Sequence, residues 1–161
     1  MVTHAYPRAS GDVAGHFIAQ LAEALVARGH TVTVVAPADR GRAERFSAGG
    51  VDVVQVRYAS PEREDLAYTG LLAQKARTPS GFRAFLALTA ALARQARTEA
   101  ERLGDALIHA HWWVPAGWAA VRAGRPFVVT LHGTDVALLR GLPARVLGWR
   151  VLGRARRVTA V

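Results

Sequence analysis

Cysteine is absent from the 161 residues, so disulfide frameworks, thiolate zinc sites and cysteine nucleophiles are excluded. A cysteine-free chain suits the cytosol without excluding an oxidising compartment. Long apolar runs are also missing: no stretch approaches the ~20 residues that span a bilayer. The amino terminus lacks the basic region, apolar core and cleavage site of an export signal. From these absences a soluble, unexported protein is expected. Acidic residues are scarce, 12 against 21 basic ones, and 20 of the basic residues are arginine. The resulting charge of +9 suits an anionic partner. The arginines are scattered, so coding bias and a solvated surface explain the same composition. Nucleic acid is not favoured, because no stacking aromatics interleave with the basic residues.

What is present is an alternation of short apolar runs and amphipathic stretches. Met1 to His4 has the character of a strand's tail, and about five residues of strand would normally precede such a loop. Ser10 to His16 leads into a helix whose Val13, Phe17, Leu21 and Leu25 are spaced four apart on one predicted buried face. Ser10 or Asp12 is the candidate cap. Thr31 to Ala36 reads as a strand, Asp39 to Gly50 as an Arg- and Gly-rich loop, and Val51 to Val56 as a strand near an edge. Arg57 to Ser80 is a long polar connection, the kind that is functional or mobile. A helix over 81–103 is expected to bury Phe82, Phe85, Leu86, Leu92 and Ala96. Further strands are expected at 105–110 and 127–131, with a short helix at 114–123 between them. One or two helices broken around Gly141 and Pro143 follow, then a strand starting at Arg157. Both ends of the chain read as cut through strands. Repeated strand–helix–strand units require parallel strands and right-handed crossovers. The fold class is therefore α/β, a doubly wound Rossmann-like parallel sheet in a single domain.

In such sheets ligands bind beyond the carboxyl ends of the strands. Phe127 to Leu131 ends at His132-Gly-Thr-Asp135, the strongest polar cluster in the chain. A histidine there can move a proton near neutrality or hydrogen-bond a sugar hydroxyl, and Thr134 and Asp135 can cap the next helix. A capped turn with an incidental histidine is the alternative. His109-Ala-His111 ends another strand, with both side chains on one face. A zinc site completed by His132 and Asp135 is disfavoured, because nothing supplies a second shell. Trp112 and Trp113 stay open between sugar stacking and packing, whereas Trp118 is assigned to the core. The loop Ser10 to Gly15 offers backbone and a helix N-terminus to an anion. Its Gly-x-x-x-Gly spacing is not the dinucleotide fingerprint, and the second strand has no acidic residue at its tip. Leu138 to Arg154 intersperses arginines with Leu, Val and Trp, the pattern of a solvated helix face or of a helix lying on an anionic membrane.

These pieces together resemble the N-terminal domain of a GT-B glycosyltransferase of family four. The matching stretches are Tyr6-Pro7 with Ser10-Gly-Asp-Val-Ala-Gly-His16, Leu21-Ala22, and Leu25-Val-Ala-Arg-Gly-His-Thr-Val32. Ile108-His-Ala-His111, Val128-Val-Thr-Leu-His-Gly-Thr-Asp135 and Arg154-Ala-Arg-Arg-Val-Thr-Ala-Val161 follow in the family's order. The resemblance implies that residues 1–161 form the acceptor-side, Rossmann-like half of a GT-B architecture. The partner C-terminal donor domain, with its paired glutamates and phosphate-binding basic residues, is missing. On that analogy His132 is the candidate catalytic residue, facing the transferred sugar. Gly11 and Asp12 lie in the glycine loop by the donor diphosphate. His111, Trp112, Gly133, Thr134 and Asp135 line or brace the acceptor cleft.

The implied reaction is retaining transfer of a hexose from a nucleoside-diphosphate sugar to a sugar, lipid or small-molecule acceptor. It uses no catalytic metal and no cofactor besides that donor substrate, in keeping with the lack of an Asp-x-Asp site. The chain alone is expected to be inactive. A cytoplasmic location is expected, at the inner face of the membrane if peripheral membrane contact occurs. A non-catalytic ligand- or partner-binding domain of the same fold is one alternative. Another GT-B enzyme, an inverting transferase or a sugar epimerase, is the second.

Overall fold

The computed structural model describes residues 1–9, 11–40, 44–104 and 106–161. Its strands are β1 (Thr33–Pro37), β2 (Arg45–Ala48), β3 (Val51–Val56), β4 (Ile108–His111), β5 (Phe127–Leu131) and β6 (Arg157–Ala160). Its helices are α1 (His16–Val26), α2 (Leu72–Lys75), α3 (Pro79–Arg102), α4 (Trp118–Ala123), α5 (Thr134–Leu138) and α6 (Leu142–Leu152). One half-sheet runs β2-β3-β1 and the other β4-β5-β6. Val2 bridges them, parallel to Val35 on one side and to Ala110 on the other. Its N–H donates to the His109 carbonyl at 2.8 Å and its carbonyl accepts from His111 at 3.0 Å. Residues 1–3 thus take the central place between β1 and β4, and every pairing is parallel except β2 with β3.

Alternation along β1 explains the two-sided core. Val34 and Ala36 join Ile18, Ala19 and Ala22 of α1 on one face, while Val35 joins Leu88, Leu92 and Trp113 on the other. The buried face of α1 is therefore not Val13, Phe17, Leu21 and Leu25: Val13, Phe17 and Leu21 are exposed. Ile18, Ala19 and Ala22 are buried instead, and the two alanines let the helix lie close to the sheet. Helix α3 starts at Pro79, whose missing N–H is no loss in a first turn, and the Thr78 hydroxyl accepts from Gly81 N–H at 3.1 Å. It buries Phe85, Leu88, Leu92 and Ala96, but Phe82 and Leu86 are exposed, contrary to the periodicity expectation.

Three other expectations shift. The loop expected over 39–50 contains β2, a hairpin partner of β3 turning at Gly49-Gly50, where φ is 59° and 76°. Residues 41–43 of that stretch lie outside the described residues, as do Ser10, one candidate cap, and Asp105, the expected start of β4. The Asp12 carboxylate does not cap α1, which begins after Gly15 with no side-chain cap. The connection over 57–80 is anchored: Tyr58 and Leu66 are buried, and the Tyr58 hydroxyl accepts from the N–H groups of Leu66 at 3.1 Å and Ala67 at 3.4 Å. Strand β5 and the helical break at Gly141 lie where the pattern puts them.

Gly15, at φ 65°, has no room for a side chain, since a Cβ there would sit 2.3 Å from the Ala5 carbonyl oxygen. Gly11, at φ 83°, faces open space. Gly11→Ala is expected to cost about 1 kcal/mol, the left-handed backbone penalty alone. Gly15→Ala is expected to cost more, because backbone must also move. Urea midpoints of the two variants check the order; equal midpoints would contradict the close approach.

Candidate active site

Strand β5 releases its chain at Leu131. The His132 N–H donates to Asp135 Oδ1 at 2.9 Å, and Gly133, at φ 77°, turns the chain into α5. The other carboxylate oxygen of Asp135 accepts from Trp113 N–H at 2.9 Å. The Asp135 carbonyl accepts from the Trp113 indole at 2.7 Å. One buried aspartate therefore clamps the loops after β4 and β5 together, and both of its oxygens are satisfied by backbone donors. Trp112 precedes the clamp at φ 67°, a conformation rare for a bulky residue. Its ring lies 4.3 Å from that of His132, and its indole donates to the Thr134 hydroxyl at 3.3 Å.

Four histidines gather here. His111 Nδ1 and His132 Nε2 share a hydrogen bond of 3.1 Å. The His109 and His111 rings stack with centroids 4.4 Å apart, and His109 Nε2 meets the Thr130 hydroxyl at 2.7 Å. His4 packs edge-on against Trp112 at 4.3 Å, and Phe17 closes on the His132 ring at 5.0 Å. Burial disfavours the charged imidazolium throughout. It lowers His4 and His109 to about 4 and His111 to about 2, with neighbouring histidines pushing the same way on His109 and His111. His132 is lowered by burial and partly restored by the nearby Asp135 charge. The cluster is therefore neutral at pH 7.

Neutrality fixes where the protons go. His111 Nε2 is buried with no partner among the described residues. A bare ring nitrogen is better tolerated there than an orphaned N–H. His111 therefore carries its proton on Nδ1 and donates to His132 Nε2. That leaves His132 with an Nδ1–H, which has no hydrogen-bond partner among the described residues and can serve a ligand.

Of the residues named from sequence, His111, Trp112, His132, Gly133, Thr134 and Asp135 come together. Gly11 and Asp12 instead border a separate hollow of about 430 Å³ with Arg8, Asp39 and Glu44. There Arg8 bonds Asp12 at 2.6 Å and Asp39 at 2.5 Å, and the Arg8 bond holds the Asp12 carboxyl down at about 2. Trp113, left open by the sequence, is core; Trp118 is half-buried against Phe85. Sequence reasoning missed His4 and Phe17. His4 stands at the carboxyl end of the central segment, which was signal enough; Phe17 had been given to the buried face of α1. A larger cavity of about 670 Å³ lies at the opposite end of the strands, lined by Met1, Thr33, Ala100 and Ile108. Among the described residues no group of three potential ligands is arranged to hold a metal ion.

The carboxyl edge of this Rossmann-like sheet thus carries histidines, an indole and a buried aspartate; α5 starts after Gly133 with no side-chain cap, so neither Thr134 nor Asp135 caps it as the sequence suggested. The chain belongs to Glycosyltransferase Family 4, whose profile matches residues 14–161. It is thus a glycosyltransferase domain of the Rossmann-like GT-B type. The match takes in His111, Trp112 and the whole 132–135 loop, while His4, Gly11 and Asp12 precede it. No curated protein matches the chain in sequence.

An unfolded histidine binds its proton near pH 6.5, whereas His4, His109 and His111 in the fold resist protonation until about 4 or below. Between those values the unfolded state holds more protons, so unfolding free energy falls as pH drops from about 6.5 towards 4. Each histidine contributes at most about 1.4 kcal/mol per pH unit. Denaturant melts from pH 7 to 4 should show this slope, and His109→Gln should flatten it. A pH-independent midpoint over that window would contradict the neutral cluster.

Proposed function

We propose that this chain is the acceptor-side half of a retaining glycosyltransferase moving a hexose from a nucleoside-diphosphate sugar to a hydroxyl acceptor. The observation that carries the reading is His132, bonded to His111 through Nε2 and seated between Trp112 and Phe17 at the carboxyl edge of the sheet, which leaves its Nδ1 for a ligand. In the proposed reaction the bond from the anomeric carbon to the diphosphate oxygen breaks. A bond to the acceptor oxygen forms on the same face, and the acceptor's proton leaves with the diphosphate. His132 Nδ1–H donates to a hydroxyl of the transferred sugar and orients it; held neutral, it does not protonate the leaving group. Trp112 and Phe17 offer apolar surface to a sugar face. Asp135 contributes through the backbone it holds, so it is a positioning residue.

Gly11 is assigned to the donor's diphosphate as room for close approach and not as charge. Among the described residues the hollow beside it has three carboxylates and one guanidinium, which Asp12 and Asp39 already occupy. This charge balance supports leaving the donor's phosphates to the cationic groups of a second domain. The chain alone would then be inactive, and domain closure would bring the reacting atoms together and exclude water.

The test joins the chain to its donor-side domain and follows transfer by proton NMR. The donor's anomeric configuration should persist in the product. His132→Ala should lower kcat by about 10²–10³-fold, the loss of one preorganised donor. An inverted anomer would remove the retaining assignment, and undiminished turnover would remove His132 from the reacting sugar.

A further inference from the structure

Helix α6 has two faces of different character. Leu147, Gly148 and Val151 turn inward, where Gly148 packs under Trp113 and Val151 against Gly117. The outward face carries Leu142, Val146 and Trp149 at i, i+4 and i+7, exposed by 69%, 50% and 74%. Arg145 and Arg150 flank this stripe and are also exposed. From Val136 to Val161 the sequence has Arg140, Arg145, Arg150, Arg154, Arg156 and Arg157 but no acidic residue. None of these arginines makes an ion pair among the described residues.

We infer that the outward face of α6 docks on an anionic lipid bilayer, with Leu142, Val146 and Trp149 entering the interface and Arg145 and Arg150 held at the headgroups. Charge complementarity selects an anionic surface. The apolar stripe selects lipid over nucleic acid, which would engage the arginines yet leave Leu142 and Val146 in water. Tryptophan suits this depth, since its indole is apolar with one polar edge. A second copy of the chain fits less well, because two-fold pairing of this face sets each arginine cluster against the same charges. Through Trp113 and Gly117 the helix is packed directly on the loop that carries Trp112, so docking would hold the histidine cluster near the surface. The inference concerns binding alone and stands whether or not the transfer proposed above is retaining.

The experiment is co-sedimentation of the 161-residue chain with vesicles of phosphatidylglycerol and phosphatidylcholine in roughly equal amounts, at low ionic strength where such attraction is strongest. Binding is expected there, with little to phosphatidylcholine alone and less as salt rises. Two double variants, Leu142→Ser with Trp149→Ser and Arg145→Gln with Arg150→Gln, change only exposed positions and should keep the parental thermal midpoint. Each should weaken binding about tenfold or more. Absence of sedimentation would overturn the inference, as would binding that neither variant alters. Self-association abolished by the apolar variant, without vesicle binding, would assign the face to a second copy instead.

Discussion

Three residues hold the two halves of this domain in one sheet. Met1 to Thr3 take ladder hydrogen bonds from both sides: Val35 N–H donates to the Met1 carbonyl at 2.9 Å and Thr3 N–H to the Val35 carbonyl at 3.1 Å, while Val2 pairs with His109 and His111. Without them β1-β3-β2 and β4-β5-β6 are separate three-stranded ribbons, each too small to stand alone securely. With them, the carboxyl end of the central segment lies beside that of β4. This is what brings the His4 ring against Trp112, adding a fourth histidine to the three that β4 and β5 hold together.

The cluster's polar character is sustained by a division of labour. Asp135 gives both carboxylate oxygens to backbone N–H groups, so its charge is neutralised by fixed dipoles and the loops after β4 and β5 become one unit. The histidines meet each other and Thr130, and burial keeps them uncharged. A neutral hydrogen-bonding surface flanked by Trp112 and Phe17 suits a polyhydroxylated ligand better than an ion. The charged groups lie elsewhere: Arg8 bonds both Asp12 and Asp39 beside Gly11, and six arginines with no ion pair among the described residues run from Arg140 to Arg157, through α6 to the start of β6.

Much of this was legible in the sequence, for physical reasons that also explain the misses. Strand β5 was readable because a run buried on both sides is apolar throughout, and the split between α5 and α6 because Gly141 and Pro143 interrupt the pattern. The buried face of α1 was misread because size was taken for burial: Ile18, Ala19 and Ala22 pack against β1 and β3, and the larger Phe17 is left to face the site. Strand β2 is hard to see although Gly49-Gly50 is a two-residue hairpin signal; its four residues, Arg45-Phe-Ser-Ala48, are too few for their alternation to stand out from the surrounding Arg- and Gly-rich stretch. The gathering of Trp112, His111 and the 132–135 loop followed from the rule on strand ends. That Asp12 and Asp39 share Arg8 beside Gly11 depends on side-chain ion pairs that no spacing reveals.

The proposed sugar contact requires a neutral His132 with its proton on Nδ1. Nitrogen-15 spectra of the imidazoles at pH 7 observe this directly, with His132→Gln used for assignment. A protonated Nδ1 beside an unprotonated Nε2 at His132, with the complementary Nδ1–H at His111, is the predicted result. A charged His132 ring, or one protonated on Nε2, would contradict it.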